Sequence, residues 1–288
     1  MTDIANTTEF DQPVDTKILR PLDWLAVNRN LMHYPIARDN RVRLKWTRNS
    51  KRGYRRCMLN SRAMLELPLD CGFKRHPTGF DVKLLLTLAT LANVRNNGRL
   101  ELANTDILRH MGEPINSRSR AKVTEALKLW RHATLQWTRW YVGDGKYERR
   151  TASNLIRRKG IYIIVSDECR VWFDPGFGFY ESVPLTLPSD TATQNLILLV
   201  LAKRRNPDDD WTKRKFRSRR EITRKLGVNH SGSRNATLYK AMNHARQWFE
   251  KHDGELKWKY LRNGKVLFKF QRPFAEPQPV QVVGRCHA

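Results

Sequence analysis

Two stretches of the chain share one order of apolar and polar positions. Each opens with an almost wholly apolar run, Leu84–Ala92 in the first stretch and Leu196–Ala202 in the second. Leucines this dense fall on more than one face of a helix, so we expect both runs to be deeply buried. Asp81 is the expected cap of the first helix, which runs to about Val94. A short helical segment and a longer amphipathic one follow each run, so the pattern predicts the same three helices twice.

The short segments match each other in residue type and end in glycine. Asp106–Gly112 and Glu221–Gly227 both run acid, Ile, two variable positions, a basic residue, an apolar residue and Gly, about 115 residues apart. An acidic residue suits the positive first turn of a helix, and Gly commonly ends a helix in the left-handed conformation. Asn104 or Thr105 is the expected cap of the first short helix, and Ser218 that of the second.

The longer segments each predict an amphipathic helix, one from about Arg118 to Ala133 and the other from about Ser233. Their apolar stripes are Val123, Ala126, Leu127 and Trp130 in the first helix and Leu238, Ala241, Met242, Ala245 and Phe249 in the second. Their outward faces carry Ser117, Arg118, Ala121, Lys122, Glu125 and Lys128, and Ser233, Ala236, Thr237, Lys240, Asn243 and His244. A polar helix face of this kind is more often simply exposed to solvent. Agreement of both stripes between the two copies favours helices that enter a DNA major groove instead.

A basic hairpin is expected after the first long helix. Leu135–Val142 alternates as a strand and is followed by a turn at 143–146. A basic return stretch follows, through Arg149, Arg150, Arg157 and Arg158. Ile161–Val165 and Arg170–Phe173 predict further strands, which would enlarge this hairpin beyond two strands. Three tryptophans in this region are expected in the core, Trp137, Trp140 and Trp172.

The second hairpin, Leu256–Phe270, contains the stronger turn signal. Its Asn263-Gly264 pair suits a tight turn, because both positions need positive φ. Lysine alternates with aromatic residues along both arms, so one face packs and the other is cationic. A basic hairpin beside paired helices suits contact with the DNA backbone or minor groove.

The predicted fold class is α+β, with two winged helix-turn-helix domains in tandem and a basic N-terminal extension. We expect a mobile tail and basic arm over residues 1–57, the first winged-helix domain over 58–180, and the second with a C-terminal tail over 181–288. The Pro- and Gly-rich stretch 174–190 is the natural junction. For the basic stretch 41–56 two interpretations stay open. It is either an edge hairpin with a solvated face or an arm lying along phosphates.

The charge of the chain points to a polyanionic or acidic partner. Lys and Arg number 54 against 28 Asp and Glu, which gives a formal net charge of +26. A membrane surface would also attract this charge. However, no apolar run approaches the roughly 18–20 residues that span a bilayer, and the N-terminus is polar and acidic, unlike a signal peptide. We therefore expect no membrane partner.

Candidate chemistry beyond DNA binding is sparse. The four cysteines lack zinc-site spacing, so they are expected to be reduced thiols of a cytosolic protein. The three carboxylates at 208–210 are expected to lie in a solvated loop. Neither a metal nor a cofactor is expected. Enzymes of two kinds are disfavoured. No His-x-His occurs for a nicking initiator, and the Gly-Lys pairs at 145–146 and 264–265 lack the hydroxyl residue of a phosphate loop. We expect no enzymatic activity.

On these residues the chain resembles plasmid-type replication initiator (Rep) proteins with tandem winged helices. The resemblance covers about residues 58–272. Its most specific parts are Arg118–Thr134, which ends in Trp-Arg-His-Ala-Thr, and the second copy with its Asn263-Gly264 hairpin. It implies binding to directly repeated origin sequences (iterons), local melting and recruitment of the host replicative helicase. It also implies double-stranded DNA, a host initiator and a second copy of the chain as partners, in the bacterial cytoplasm with the nucleoid or a plasmid.

One alternative keeps the DNA binding and drops replication: a transcriptional repressor or partition-type protein built on the same tandem modules. The physical chemistry of the contacts is the same for both functions. In either case we expect DNA to be contacted by Arg118, Arg120, Lys122, Glu125, Lys128, Arg149, Arg150, Ser233, Arg234, Thr237, Lys240, Asn243, His244, Arg262 and Lys265.

Overall fold

The computed structural model describes residues 23–40, 42–72, 74–172, 180–203, 211–216, 218–228, 234–261 and 264–271. Its helices are α1 (Arg29–His33), α2 (Gly79–Val94), α3 (Asn104–Met111), α4 (Ser117–His132), α5 (Asp167–Trp172), α6 (Thr191–Leu201), α7 (Arg219–Lys225) and α8 (Arg234–Glu250). Its strands are β1 (Trp24–Asn28), β2 (Thr47–Asn49), β3 (Tyr54–Met58), β4 (Ala63–Pro68), β5 (Arg99–Glu101), β6 (Thr134–Gly143), β7 (Lys146–Ser153), β8 (Ile156–Lys159), β9 (Tyr162–Val165), β10 (Tyr180–Pro184), β11 (Thr212–Phe216), β12 (Glu255–Tyr260) and β13 (Val266–Gln271). The fold class is therefore α+β.

Two units repeat the same order of elements: helix, strand, helix, helix, strand, strand. The first unit uses α2, β5, α3, α4, β8 and β9, and the second uses α6, β11, α7, α8, β12 and β13. Each unit has a three-stranded antiparallel sheet with the same strand order, β5-β9-β8 and β11-β13-β12. The first strand of each final hairpin packs against the preceding helix, β8 on α4 and β12 on α8. The internal repeat in the sequence thus corresponds to a repeat in topology.

The helix ends follow from local side chains, with small departures from the predicted caps. Thr78 precedes α2, and Asp81 lies in the first turn, where its carboxylate accepts from the Thr78 amide at 2.8 Å. Asp81 is therefore not the cap itself. Ala103 occupies the cap position of α3, one residue before the predicted Asn104. Gly112 and Gly227 end the short helices as predicted, and their φ of 63° and 66° are in the left-handed region.

The hydrophobic core is continuous across both units. The two apolar helices meet at their N-terminal ends, where the Gly79 amide donates to Thr191 Oγ1 and Gln194 Nε2 donates to the Gly79 carbonyl, both at 2.9 Å. A Cβ on Gly79 would lie 2.4 Å from the Ser189 carbonyl oxygen, so only glycine allows this approach. The two units are therefore held by a close junction of buried backbone.

Residues 23–68 belong to the folded body. β1 pairs antiparallel with β10, within the stretch predicted as a domain junction, and the Ala26 amide donates to Thr90 Oγ1 of α2 at 3.0 Å. The basic stretch 41–56 contributes β2 and most of β3 to a five-stranded sheet of order β2-β3-β4-β6-β7. The stretch is therefore a hairpin at the sheet edge, with β2 paired to β3, and its contact with phosphates stays a prediction. The tail 1–20 lies outside the described residues.

The large hairpin predicted after α4 is divided between two sheets. β6 and β7 join the five-stranded sheet through the pairing of β6 with β4. β8 and β9 instead join β5 in the three-stranded sheet of the first unit. The first unit thus carries an extra hairpin, inserted between its long helix and the strands that correspond to β12 and β13.

The strand predicted at 170–173 is wrong, because residues 167–172 form α5. Ser166 Oγ accepts from the Cys169 amide at 3.2 Å, and Asp167 and Glu168 occupy the first turn, so local capping outweighs the β preference of Val and Trp. Trp172 on this helix stacks on Trp140 at 5.1 Å between ring centroids, and Trp140 contacts Trp137 at 5.0 Å. All three rings are buried, which confirms their predicted place in the core.

Candidate nucleic-acid interface

The long helix of the first unit presents its predicted polar face to solvent. Its N-terminus is set by Asn116, whose side chain accepts from the Ser119 amide at 2.8 Å. The opposite stripe is buried, and Trp130 Nε1 donates to the Asp81 carbonyl oxygen of α2 at 2.9 Å, which fixes the helix on its neighbour. The candidate contacts on this helix are all exposed: Arg118, Arg120, Lys122, Glu125 and Lys128.

These α4 side chains differ in the contacts that they make within the protein. Lys128 and Glu125 form an ion pair at 3.6 Å, and Lys122 Nζ lies 5.4 Å from the centre of the Phe80 ring. Within the described part of the chain, Arg118 and Arg120 have no ion-pair partner. The two arginines near the start of α4 are therefore its most available donors for an anion or a base acceptor.

The long helix of the second unit has the same arrangement. Its predicted stripe is buried on the core side, Leu238, Ala241, Met242, Ala245 and Phe249. The candidates on its outward side are exposed at Lys240, Asn243 and His244 and half-buried at Thr237. Arg234 is the first residue of the helix, and its side chain lies outside the described part. Ser233 and Arg262 are also outside the described residues.

A basic hairpin lies beside each of these helices. On β8 the exposed cations are Arg157, Arg158 and Lys159. Arg158 Nη2 donates to the Leu102 carbonyl at 3.1 Å, and partial burial lowers the pKa of Arg158 from its ordinary value. The turn at Gly160 carries Ile161, which is 57 % exposed. The second unit supplies exposed Lys257 and Lys259 on β12, with half-buried Lys265 at the turn.

Arg149 and Arg150 belong to a different surface from this hairpin. Both lie on β7, an edge strand of the five-stranded sheet, and Arg150 Nε donates to Glu148 Oε1 at 2.8 Å. Arg139 on the neighbouring strand lies over the ring of Tyr147 at 4.4 Å. The structure thus separates Arg149 and Arg150 from the candidates on α4. Arg157 and Lys159, by contrast, lie on β8, the strand packed against that helix, although they were not among the predicted contacts.

The described residues contain neither a candidate metal site nor a candidate membrane-spanning helix. No group of three or more His, Cys, Asp or Glu side chains there is arranged to hold a metal ion. None of the helices in this part of the chain is both long and apolar enough for a bilayer crossing.

Comparisons with known proteins give a likeness of fold. No protein-family model and no curated protein matches the chain. A crystal structure of selenomethionine derivatives of domains 2 and 3 of RctB matches with a TM-score of 0.51 and 14% identity, over 86% of this chain and 99% of that one. A second crystal structure of RctB domains 2-3 has a TM-score of 0.45 and 12% identity, over 85% and 96% of the two chains. The first match shows that the fold resembles that of RctB domains 2 and 3.

Proposed function

We propose that this chain is a sequence-specific double-stranded DNA-binding protein built from two winged helix-turn-helix modules. In this proposal α3–α4 and α7–α8 are the helix pairs, α4 and α8 enter successive major-groove segments, and the hairpins β8–β9 and β12–β13 are the wings. One observation carries the proposal. Two units of the same topology expose the same polar face of the same helix, each beside a cationic hairpin. The formal charge of +26 supports it.

The proposal extends to initiation of DNA replication. The likeness to RctB domains 2 and 3 supports a replication-initiator-like fold. The tandem order of the modules agrees with the resemblance to plasmid-type initiators, which bind directly repeated origin sequences. Local melting of the origin and recruitment of the host replicative helicase would follow from that binding. The chain would act by binding and deformation of DNA, without catalysing a reaction.

Unwinding of a supercoiled origin plasmid tests initiation against repression. Purified protein is added to a plasmid carrying the origin, and unpaired bases are detected by cleavage with a single-strand-specific nuclease. An initiator is expected to produce cleavage confined to the origin, on supercoiled but not on relaxed plasmid. Binding without any such cleavage would leave a repressor or partition-type protein as the function.

Base recognition by the two long helices is tested by Arg118→Ala and Lys240→Ala. Each is expected to weaken the preferred duplex by about 1–3 kcal/mol and to relax base preference at one position, in different halves of the site. The measurement is the affinity of each variant for a panel of single-base variants of the preferred duplex.

The matched controls are Arg131→Ala and Arg246→Ala, which remove an exposed arginine near the other end of α4 and of α8. Both controls are expected to keep full base preference. If Arg118→Ala and Lys240→Ala instead weaken all duplexes equally, the two side chains contact phosphates and not bases.

A further inference from the structure

A cavity of about 560 Å³ lies between the N-terminal segment and the second unit, away from the outward faces of α4 and α8. Its walls come from the residues that follow α1, from the turn between β3 and β4, and from the end of α7. Tyr34, Pro35, Leu44, Leu59 and Val228 give these walls an apolar part. The volume falls within the range of about 300–1,000 Å³ that is typical of small-molecule sites.

Apart from Asn60 and Ser61, the polar side chains of the cavity wall are mostly cationic. The wall holds Arg38, Arg43, Arg224 and Lys225 together with His33, and no acidic side chain among the described lining residues. Burial lowers the pKa of His33 to about 4, and the charges of Arg214, Arg29, Lys225 and Arg62 add to this effect. Lys225 is ion-paired with Glu221 at 3.4 Å, so the positive charge of this wall comes chiefly from Arg38, Arg43 and Arg224, and it favours an anionic ligand.

Arg38 is the charged group at the base of this cavity. It is only 5 % exposed, and its Nη1 donates to the Ala37 carbonyl oxygen at 2.9 Å. Among the described residues no carboxylate lies within ion-pair distance of it. Burial lowers its pKa to about 10, and the interaction with the neighbouring Cys57 thiol offsets this only in part. A buried charge without a counterion is costly, and an anion bound beside it would remove that cost.

The base of the cavity is built to a fixed shape. Asn195 Nδ2 donates to the carbonyls of Ala37 and Leu226, at 3.0 and 2.9 Å, and so ties the N-terminal segment to the end of α7. A Cβ on Gly227 would lie 2.6 Å from the Ala37 oxygen and 2.8 Å from Arg38 Cδ. This close backbone contact holds the guanidinium in place before any ligand arrives, which lowers the entropic cost of binding.

We propose that this cavity binds a nucleotide, with its phosphate on the Arg38 guanidinium and its base and sugar against the apolar wall at Tyr34 and Leu44. A guanidinium presents paired N–H donors that match phosphate oxygens, and Arg43 and Arg224 add positive charge. The site is independent of the groove contacts proposed for α4 and α8. Its phosphate is supplied either by a free nucleotide or by a nucleotide of the DNA strand.

Calorimetric titration of the full chain tests this site with thymidine monophosphate as the probe, and with thymidine and inorganic phosphate for comparison. The monophosphate is expected to bind more tightly than either of its parts. Arg38→Met is expected to weaken that binding by about tenfold or more, since a charged hydrogen-bonding partner is lost. Its thermal midpoint should not fall, because the variant also removes an uncompensated buried charge.

A second variant keeps the test informative if Arg38→Met fails to fold. Arg43→Gln removes an exposed cation from the cavity wall and is expected to weaken monophosphate binding several-fold. The control, Lys251→Gln, changes an exposed residue outside the cavity and should leave monophosphate binding unchanged. Absence of binding to the unmodified chain at millimolar monophosphate overturns the proposal. Binding that neither Arg38→Met nor Arg43→Gln weakens also overturns it.

Competition with duplex DNA distinguishes the two sources of phosphate. If the preferred duplex displaces the monophosphate from the cavity, the natural occupant is a nucleotide of the bound DNA. If the duplex and the monophosphate bind together, the occupant is a free nucleotide. The proposal holds in both cases. Loss of duplex affinity in Arg118→Ala, with monophosphate binding unchanged, would separate the groove contacts from the cavity.

Discussion

Raising the salt concentration from about 50 to about 200 mM is expected to weaken binding to the preferred duplex by about 10³-fold or more. Neutralising a phosphate releases condensed counterions, so the loss grows with the number of phosphates contacted. The proposed interface provides enough exposed cations for six or more such contacts. They are Arg118, Arg120, Lys122, Lys128, Arg157, Arg158, Lys159, Lys240, Lys257 and Lys259.

The slope of log affinity against log salt measures the number of phosphate contacts. Arg157→Gln and Lys159→Gln should each reduce that slope by about 1, with little change in base preference. Arg149→Gln is the matched comparison, because Arg149 is also exposed but lies on the five-stranded sheet. A slope that Arg149→Gln lowers and Arg157→Gln does not would mean that β7, and not β8, contacts the backbone. A flat salt profile would contradict phosphate-dominated binding altogether.

Trp130→Ala is expected to lower the free energy of unfolding by about 3–5 kcal/mol. The indole projects from α4, is 0 % exposed and belongs to the hydrophobic core, so its removal leaves a large cavity. The substitution also deletes the hydrogen bond from Trp130 Nε1 to the Asp81 carbonyl of α2. Denaturant unfolding followed by circular dichroism gives the change in midpoint, and the slope m should stay constant if the unfolded state is unaltered.

Lys128→Ala provides the control on the same helix. Lys128 is exposed, and its ion pair with Glu125 at 3.6 Å is solvent-screened, so the stability change should stay within about 0.5 kcal/mol. A loss below about 1 kcal/mol for Trp130→Ala would show that α4 is not anchored through this side chain. In that case the outward face of α4 would lack the rigid support that base recognition requires.

The repeated helices are the part of the fold that a single sequence predicts well. A stripe such as Val123, Ala126 and Trp130 follows directly from the period of an α-helix, and burial of one face then exposes the other. Gly112 and Gly227 likewise predict where α3 and α7 end, because few residues other than glycine readily adopt the positive φ that ends a helix. The outward faces of α4 and α8 could therefore be located from the sequence, whether or not they bind DNA.

The assignment of strands to sheets was less predictable, because alternation identifies a strand but not its partners. The sequence predicts one enlarged wing that starts at β6 and includes the segments of β7, β8 and β9, whereas β6 pairs with β4, far away along the chain. A usable signal lies after β7. Residues 156–165 repeat the layout of the second hairpin, with a basic strand, a turn at Gly160 and an apolar strand. On that basis Lys159, and Arg157 from the predicted basic return stretch, could have been selected as DNA contacts.

The contact between the two units was the hardest feature of the fold to predict from the sequence. The stretch 174–190 has the composition of a linker, yet its described part includes β10, which pairs with β1 from the N-terminal segment. Such pairing depends on contacts between residues more than 150 positions apart, about which local composition carries no information. Gly79 is similar, since nothing near it in the sequence indicates that Ser189 will approach its α-carbon.

That buried contact between Gly79 and Thr191 has a consequence for the geometry of any target. Because the two units share one core, the distance and rotation between α4 and α8 are set by the packing of the protein. The protein would then bind only targets whose two contacted segments have one particular spacing. Inserting about five base pairs between the contacted segments, half of a helical repeat, would turn the second segment to the opposite side of the duplex. Recognition would depend on helical phase as strictly as on base identity.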